Sequence, residues 1–270
     1  MPVPILSKSF QLEIEKNVKD AHQKQTKSQQ FYQDAEQILL TELDLVGYQP
    51  KHQLTFSTTK REVQKALRFD SEYFQPKYFD IIESIENYSE GFDSVKNQFK
   101  QNNVLSKKDK SFYNYVEIGS VHISDGSIKS NLLDIADVPA NGKRELSKGD
   151  LLVSKVRPYR GAVSFIDFEE ENLLGSGAFT VLQEKTDYKK EVLMLFLKTV
   201  VIKELLLRYN CGTSYPVIKD EDILNLKIPL VKQSIQKKIA DKVTKSHQLR
   251  KASKELLELA KLKVEQEIER

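Results

Sequence analysis

Apolar side chains recur at spacings of three and four at both ends of this 270-residue chain. The first stretch carries Phe10, Ile14, Val18, Ala21, Phe31, Ala35, Ile38 and Leu39; the second carries Ile235, Ile239, Val243, Leu256, Leu257, Ala260, Val264 and Ile268. A period near 3.6 with one apolar stripe predicts two long amphipathic helices. Each follows a proline, Pro4 or Pro229, and has no Gly or Pro beyond it, as helices that start after a proline do. About 40 residues rising about 1.5 Å each make a rod of about 60 Å. A lone helix of that kind cannot bury its stripe, so the two pack on each other or on another subunit in the coiled-coil manner.

The two helices are copies of one another. Residues 4–43 and 229–268 align without a gap at an offset of 225, with identities at Pro4/Pro229, Ser9/Ser234, Gln11/Gln236, Ile14/Ile239, Val18/Val243, His22/His247, Gln23/Gln248, Ser28/Ser253, Ala35/Ala260 and Glu42/Glu267. A period this long means that a whole module recurs, so helix, domain, helix is a fragment of a (domain, helix) unit taken twice. His22/His247 and Ser28/Ser253 interrupt both stripes at the same places, where polar residues set register or meet a partner.

Between the helices the periodicity shortens. Arg68 to Glu86 (RFDSEYFQPKYFDIIESIE) begins as a loop and ends as an amphipathic helix, with Pro76 near the helix start. Val116 to Ile128 alternates and turns at Asp125-Gly126, which signals a hairpin. Leu146 to Asp167 holds a turn at Lys148-Gly149-Asp150, a strand LLVSKV, a loop RPYRG and a strand AVSFI. Ser176 to Gln183 reads as a strand, Lys189 to Tyr209 as one buried helix, and Cys211 to Leu230 as a loop, a short helix and a final strand. The expected fold class is α+β: one globular domain with a mostly antiparallel sheet, flanked by two long helices packing as an antiparallel coiled coil. The expected boundaries are 1–46 for the first helix, 47–228 for the domain and 229–270 for the second helix.

Composition narrows the setting. With 39% apolar and 30% charged residues the chain reads as globular, and one Cys with four His excludes an internal disulfide and makes a structural metal unexpected. The N-terminus has no basic start followed by an apolar stretch, and Val192 to Leu207 is broken by Lys198, Lys203 and Glu204, so no signal peptide or membrane span is expected and the setting is cytoplasmic. The net charge of +3 divides unevenly: −2 over residues 4–46, zero over 47–230 and +5 over 231–270. Lys232 to Lys254 holds eight basic residues against Asp241 alone, so this segment seeks an anionic neighbour, either the first copy or something outside the chain.

The order RFDSEYFQPKY, GDLLVSKVRPYRGAV, GSGAFTVL, a helix, then CGTSYPVIKDEDILNLKIPL and a Gln-bearing long helix (VKQSIQKKIADKV) resembles the target recognition domain and following spacer of the specificity subunit of type I restriction-modification enzymes. The resemblance covers nearly the whole chain. A full subunit of that family has two recognition domains and two spacer helices; this chain resembles a C-terminal half or a single-domain form. The resemblance implies double-stranded DNA as ligand and methyltransferase subunits as partners, with the restriction and translocase subunit and a second copy of the chain as further partners. Methylation with S-adenosylmethionine and ATP-driven cleavage then belong to other subunits.

The residue chemistry fits that expectation. Reading DNA needs cations for phosphates and forked or amide groups for base edges. Ser154 to Arg160 (SKVRPYR) gathers Lys155, Arg157 and Arg160 around Tyr159 on a loop stiffened by Pro158; Arg bridges guanine or clamps phosphate, and a charged solvated loop end is the plainer alternative. Thr213, Ser214 and Tyr215 beside Gly212 offer hydroxyls for phosphate, or simply close a tight turn. Lys129, Lys143 and Arg144, with Asn131, flank the LLDIADV segment and are candidates of the second rank, solvated surface being their alternative. The chain lacks the Asn-Pro-Pro-aromatic or Asp-Pro-Pro-aromatic run of an amino-methyltransferase, a P-loop and a nuclease acid pair, so no catalytic residue, cofactor or metal site is expected. The function expected is sequence-specific DNA binding that reads one half of a bipartite site. The competing reading is a scaffold that uses its long helices without touching DNA.

Overall fold

A computed structural model describes residues 5–211 and 215–269. The chain divides into two compact units, one taking in the chain up to Ile38 and from Lys238 onward, the other Leu39–Lys237.

The first unit is a helix pair, contributed by α1 (Lys8–Glu42) and, at the other end of the chain, a second helix (Gln233–Ile268). Thirty-five and 36 residues at about 1.5 Å each make rods of about 53 Å, shorter than the repeat alone suggests because both helices begin inside it, at Lys8 and Gln233. The helices run antiparallel: Glu13 pairs with Lys263 and Asp34 with Lys242, so numbers rise on one as they fall on the other. The seam between them is built from small residues at sevenfold spacing. Ala21, Ser28 and Ala35 are fully buried on the first helix, and their repeat equivalents Ser246, Ser253 and Ala260 are buried on the second. A heptad of small side chains lets two backbones approach closely. Ser28 Oγ therefore reaches the Ser246 carbonyl at 2.8 Å, and Ser253 Oγ reaches the Ala21 carbonyl at 2.7 Å. These two bonds are related by exchanging the repeat copies, so the pair carries an approximate two-fold axis. A third bond, Ser246 Oγ to the Ser28 carbonyl at 2.8 Å, has no counterpart, because Ala21 stands where the second copy has Ser246. The expected stripes enter this seam only in part: Ile239 and Val243 are buried, whereas Leu257 and Ile268 are exposed. His22 and His247, aligned in sequence, diverge in place, His247 buried and His22 exposed.

The second unit begins with α2 (Lys60–Ala66), opened by a capping box between Thr59 and Glu62, and α3 (Pro76–Glu86), opened by Pro76 as its composition predicts. Then follow β1 (Phe92–Ser94), α4 (Val95–Gln98), β2 (Phe99–Gln101), β3 (Phe112–Val116), β4 (Asn131–Asp134), β5 (Gly142–Glu145), β6 (Leu151–Ser154), β7 (Val163–Phe165), β8 (Leu173–Ser176) and β9 (Phe179–Glu184). Next come α5 (Lys190–Lys198), α6 (Val200–Leu207), α7 (Asp220–Leu224) and β10 (Lys227–Pro229); the C-terminal rod is α8. The strands form a four-stranded sheet β2-β9-β6-β7, a four-stranded sheet β4-β3-β8-β5 and a ribbon β1-β10. Among the described residues every strand pairing is antiparallel except β3 with β8. Val116, Leu146, Leu152, Ile166, Phe179 and Val181 belong to one buried core cluster between them. β6 and β9 are buried along almost their whole length, which explains their unbroken apolar runs LLV and FTVL.

Two sequence expectations give way. The alternation over Val116 to Ile128 does not make a hairpin of two strands: β3 ends at Val116, a 3-10 turn covers Ile118–Ser120, and only an isolated bridge joins Val121 to Ile128. Gly126 does turn the chain, with φ +66, but the residues flanking it are too few to build a ladder. The helix expected over Lys189 to Tyr209 is two helices. Thr199 lies between them in extended conformation, and its side chain caps α6 by accepting from the Ile202 amide.

Candidate nucleic-acid interface

β6 delivers the SKVRPYR segment. Ser154 ends the strand with its amide on the Ala162 carbonyl at 3.1 Å and its hydroxyl on the Val156 carbonyl at 2.8 Å, which starts the loop while the strand is still paired. Pro158 to Arg160 forms one 3-10 turn, and Gly161, at φ +72, returns the chain to β7. Arg157 itself is held in the left-handed region at φ +50, a conformation that strains any side-chain-bearing residue by about 1 kcal/mol. What holds it there is a second loop: the Arg157 amide donates to the Pro216 carbonyl at 2.7 Å, Val156 bridges Val217, and the Ile218 amide donates to the Lys155 carbonyl at 3.0 Å. This brings the two main sequence candidates together. The Arg157 guanidinium lies over the Tyr215 ring, 4.6 Å from its centre, and Tyr215 is 56% exposed. Arg160 is exposed and Tyr159 partly so. Thr213 and Ser214 lie outside the described residues.

Lys155 is differently placed. Its ammonium is 3.1 Å from Asp220 Oδ1 and 3.2 Å from Oδ2, and the side chain is only 15% exposed. The Thr180 hydroxyl donates to the same carboxylate at 2.6 Å. Burial pushes the Asp220 carboxyl up, but the bonds from Thr180 and Lys155 and the charges of Lys155 and Arg144 outweigh it, leaving its pKa below the ordinary value. Asp220 thus joins the end of β6, β9 and the start of α7 through Lys155 and Thr180, with the charge of Arg144 acting on it as well. Lys143 is exposed on β5, and Lys129 is exposed just past the Val121–Ile128 bridge; both belong to the part of the chain that builds the β4-β3-β8-β5 sheet, not to the loop that follows β6.

Asp220 and Thr180 escape a reading of the sequence alone. Asp220 opens the acidic run DED, which announces a helix start, and nothing in the order of residues shows it facing Lys155 across 65 positions. The chemistry available here is that of a binding face: a stacked guanidinium, an exposed Arg and a Tyr edge, with the remaining charge neutralised internally. Among the described residues no group of His, Cys, Asp or Glu is placed to hold a metal ion, and no helix is long and apolar enough to cross a membrane.

Residues 90–261 match the family model of the type I restriction modification DNA specificity domain. The specificity subunit of the type I restriction enzyme HindI from Haemophilus influenzae is 27% identical over 134 residues, which covers 46% of this chain and 29% of that protein. The crystal structure of the HsdS subunit from Thermoanaerobacter tengcongensis is similar at a TM-score of 0.48 and 18% identity, over 56% of this chain and 40% of that one. A structure from work on assembly and conformational transition of the type I R-M system gives a TM-score of 0.48 at 17% identity, over 66% and 48%. The chain spans less than half the length of each of these relatives.

Proposed function

The chain belongs to the type I restriction modification DNA specificity family, and we propose on that footing that it binds double-stranded DNA sequence-specifically, reading one half of a bipartite site. The observation that carries the reading is the Arg157–Tyr215 stack, a half-buried guanidinium over an exposed ring, held on a backbone framework that offsets the strain at Arg157. An Arg fixed in this way spends little further entropy on binding, and its fork suits guanine O6 and N7 or a phosphate pair. Arg160, which is exposed, supplies a second cation on the same loop. Lys155 serves beneath the face, where Asp220 already balances it.

In this role the chain performs no chemistry of its own. Methyl transfer and cleavage fall to partner subunits, for which the helix pair is the docking surface. A second copy of the chain would supply the other half of the site, giving a palindromic target. Titration of a randomised duplex against rising salt tests the reading. Phosphate contacts predict a linear fall of log affinity with log salt, about 0.9 per contact. Retention on DNA that is absent even at low salt would return the scaffold reading instead. Arg157→Ala should lower specific affinity by about 1–3 kcal/mol if the guanidinium reads a base, and should weaken all sequences alike if it clamps phosphate.

A further inference from the structure

The RFDSEYF segment lies outside the Arg157–Tyr215 face, yet it makes a directed contact with the loop that carries Tyr215. Arg68 donates from Nη2 to the Asn210 carbonyl at 2.9 Å, and its Nε donates to Asp70 at 2.6 Å. Asp70 also accepts from the Tyr73 amide at 3.1 Å, which brings the Tyr73 ring 5.0 Å below the guanidinium. Arg208 also stands over that ring, 4.6 Å from its centre, and in turn covers Phe79 at 4.6 Å. The order Arg68, Tyr73, Arg208, Phe79 is a ladder of cations and rings, each contact strengthened by partial desolvation. Arg208 Nε is buried without a hydrogen-bond partner among the described residues, so the rings, rather than an acceptor, hold that edge. Arg208 closes α6, and beyond Tyr209 the residues Asn210 and Cys211 form one side of the loop neck.

From the neck a continuous set of bonds leads to Arg157. Asn210 Oδ1 accepts from the Val217 amide at 3.0 Å, and the Cys211 amide donates to the Val217 carbonyl at 3.0 Å. Val217 bridges Val156, and Pro216 accepts the Arg157 amide. We propose that Arg68, oriented by Asp70 and stacked through Tyr73 on Arg208, is a positioning residue for DNA readout: it fixes the Asn210–Val217 neck on which the Arg157–Tyr215 pair stands. The inference rests on the DNA-reading function proposed above and assigns a task to the opening motif that a packing role alone does not explain. Lys in place of Arg68 keeps the charge but cannot bond Asp70 and Asn210 from one rigid fork.

The experiment uses the full chain and three variants, Arg68→Lys, Tyr73→Leu and Arg157→Ala. Each is melted, alkylated at Cys211 with iodoacetamide, and used to enrich a pool of randomised duplexes. Cys211 is the single cysteine, it is exposed, and it lies 3.9 Å from Arg68 Nη1, so its alkylation reports on the neck alone. Arg68→Lys and Tyr73→Leu should melt within a few degrees of the wild type, speed Cys211 alkylation several-fold, and lose about tenfold in enrichment at the same base positions that Arg157→Ala loses. Their retention on bulk random duplex should be unchanged. Unchanged enrichment in both variants overturns the inference, and so does a loss at base positions different from those of Arg157→Ala. If the wild type itself enriches nothing, the DNA-reading function fails instead, and the Cys211 rates then decide the positioning claim: equal rates in wild type and variants refute it. Should Arg68→Lys fail to fold, Tyr73→Leu, which leaves the Arg68 bonds in place, carries the comparison.

Discussion

Arg157 is held in a backbone conformation that would suit glycine better. Arg157→Gly should therefore leave thermal stability within about 1 kcal/mol of the parent, because relief of left-handed strain offsets the added freedom of the unfolded chain. The same substitution should lower specific affinity by about 1–3 kcal/mol relative to random duplex if the guanidinium reads a base, so melting and binding measured side by side separate the two effects. Asp220 makes the opposite prediction. Its pKa is lowered on folding, so its stabilising contribution is complete above the unfolded value of about 4 and is lost as pH falls through the lower folded value. Asp220→Asn should flatten the acid limb of a stability curve below about pH 4, and should cost about 1–3 kcal/mol at neutral pH by leaving Lys155 without its counter-charge. A melting series from neutral to acid pH checks both. The candidate face was half legible in the sequence: SKVRPYR and Tyr215 announce themselves as cations and a ring on turns. Asp220, which neutralises Lys155 and leaves Arg157 to the stack on Tyr215, was not, because pairing across 65 positions depends on where the start of α7 meets the end of β6.

Helices α1 and α8 were legible in existence, kinship and antiparallel pairing, and in part in how they touch. The expected stripes held Ala21, Ala35, Ile239, Val243 and Ala260, which are buried, and the register positions Ser28 and Ser253, which lie in the seam, but also Leu257 and Ile268, which are exposed. Ser246 was not picked out, because a count of hydrophobic residues passes over small polar ones even where they keep a spacing of seven. Within the recognition unit, strands buried on both faces read correctly, whereas the break at Thr199 did not, since a capping threonine inside an apolar run resembles any other helical residue. The seam yields its own test. Ser253→Ala should lose about 1 kcal/mol with its bond to the Ala21 carbonyl. Ala21→Ser places a hydroxyl where the other copy has Ser246, aimed at the Ser253 carbonyl, and should hold or raise the melting temperature, a gain of up to about 1 kcal/mol less a few tenths for helix propensity. Ser253→Leu has no room, with the site 2% exposed, and should lose more than Ser253→Ala.

Across the whole chain the charge sits where association is decided. The first helix copy is acidic, the second strongly basic, and the ion pairs Asp34–Lys242 and Glu13–Lys263 join them. Such partly exposed pairs contribute about 0.2–1 kcal/mol each and weaken with salt. Reversing both partners, Asp34→Lys with Lys242→Asp, should restore most of the stability that either change alone removes, a cycle measured by thermal melting. Light scattering under the same conditions reports whether a second copy assembles, as the palindromic form of the proposed function expects.

The two symmetric serine bonds of the seam do not distinguish one copy of the repeat from the other: two first copies laid antiparallel would still bring Ser28 to the Ala21 carbonyl, losing only the bond that Ser246 makes to Ser28. The ion pairs do distinguish them, since exchanging copies would set Asp34 against Asn17 and Lys263 against Lys238. Hydroxyls therefore choose the alignment and charges choose the mate. It follows that concentrated salt should make the rods less selective before it makes them loose, and mismatched pairings should emerge while helicity is still intact.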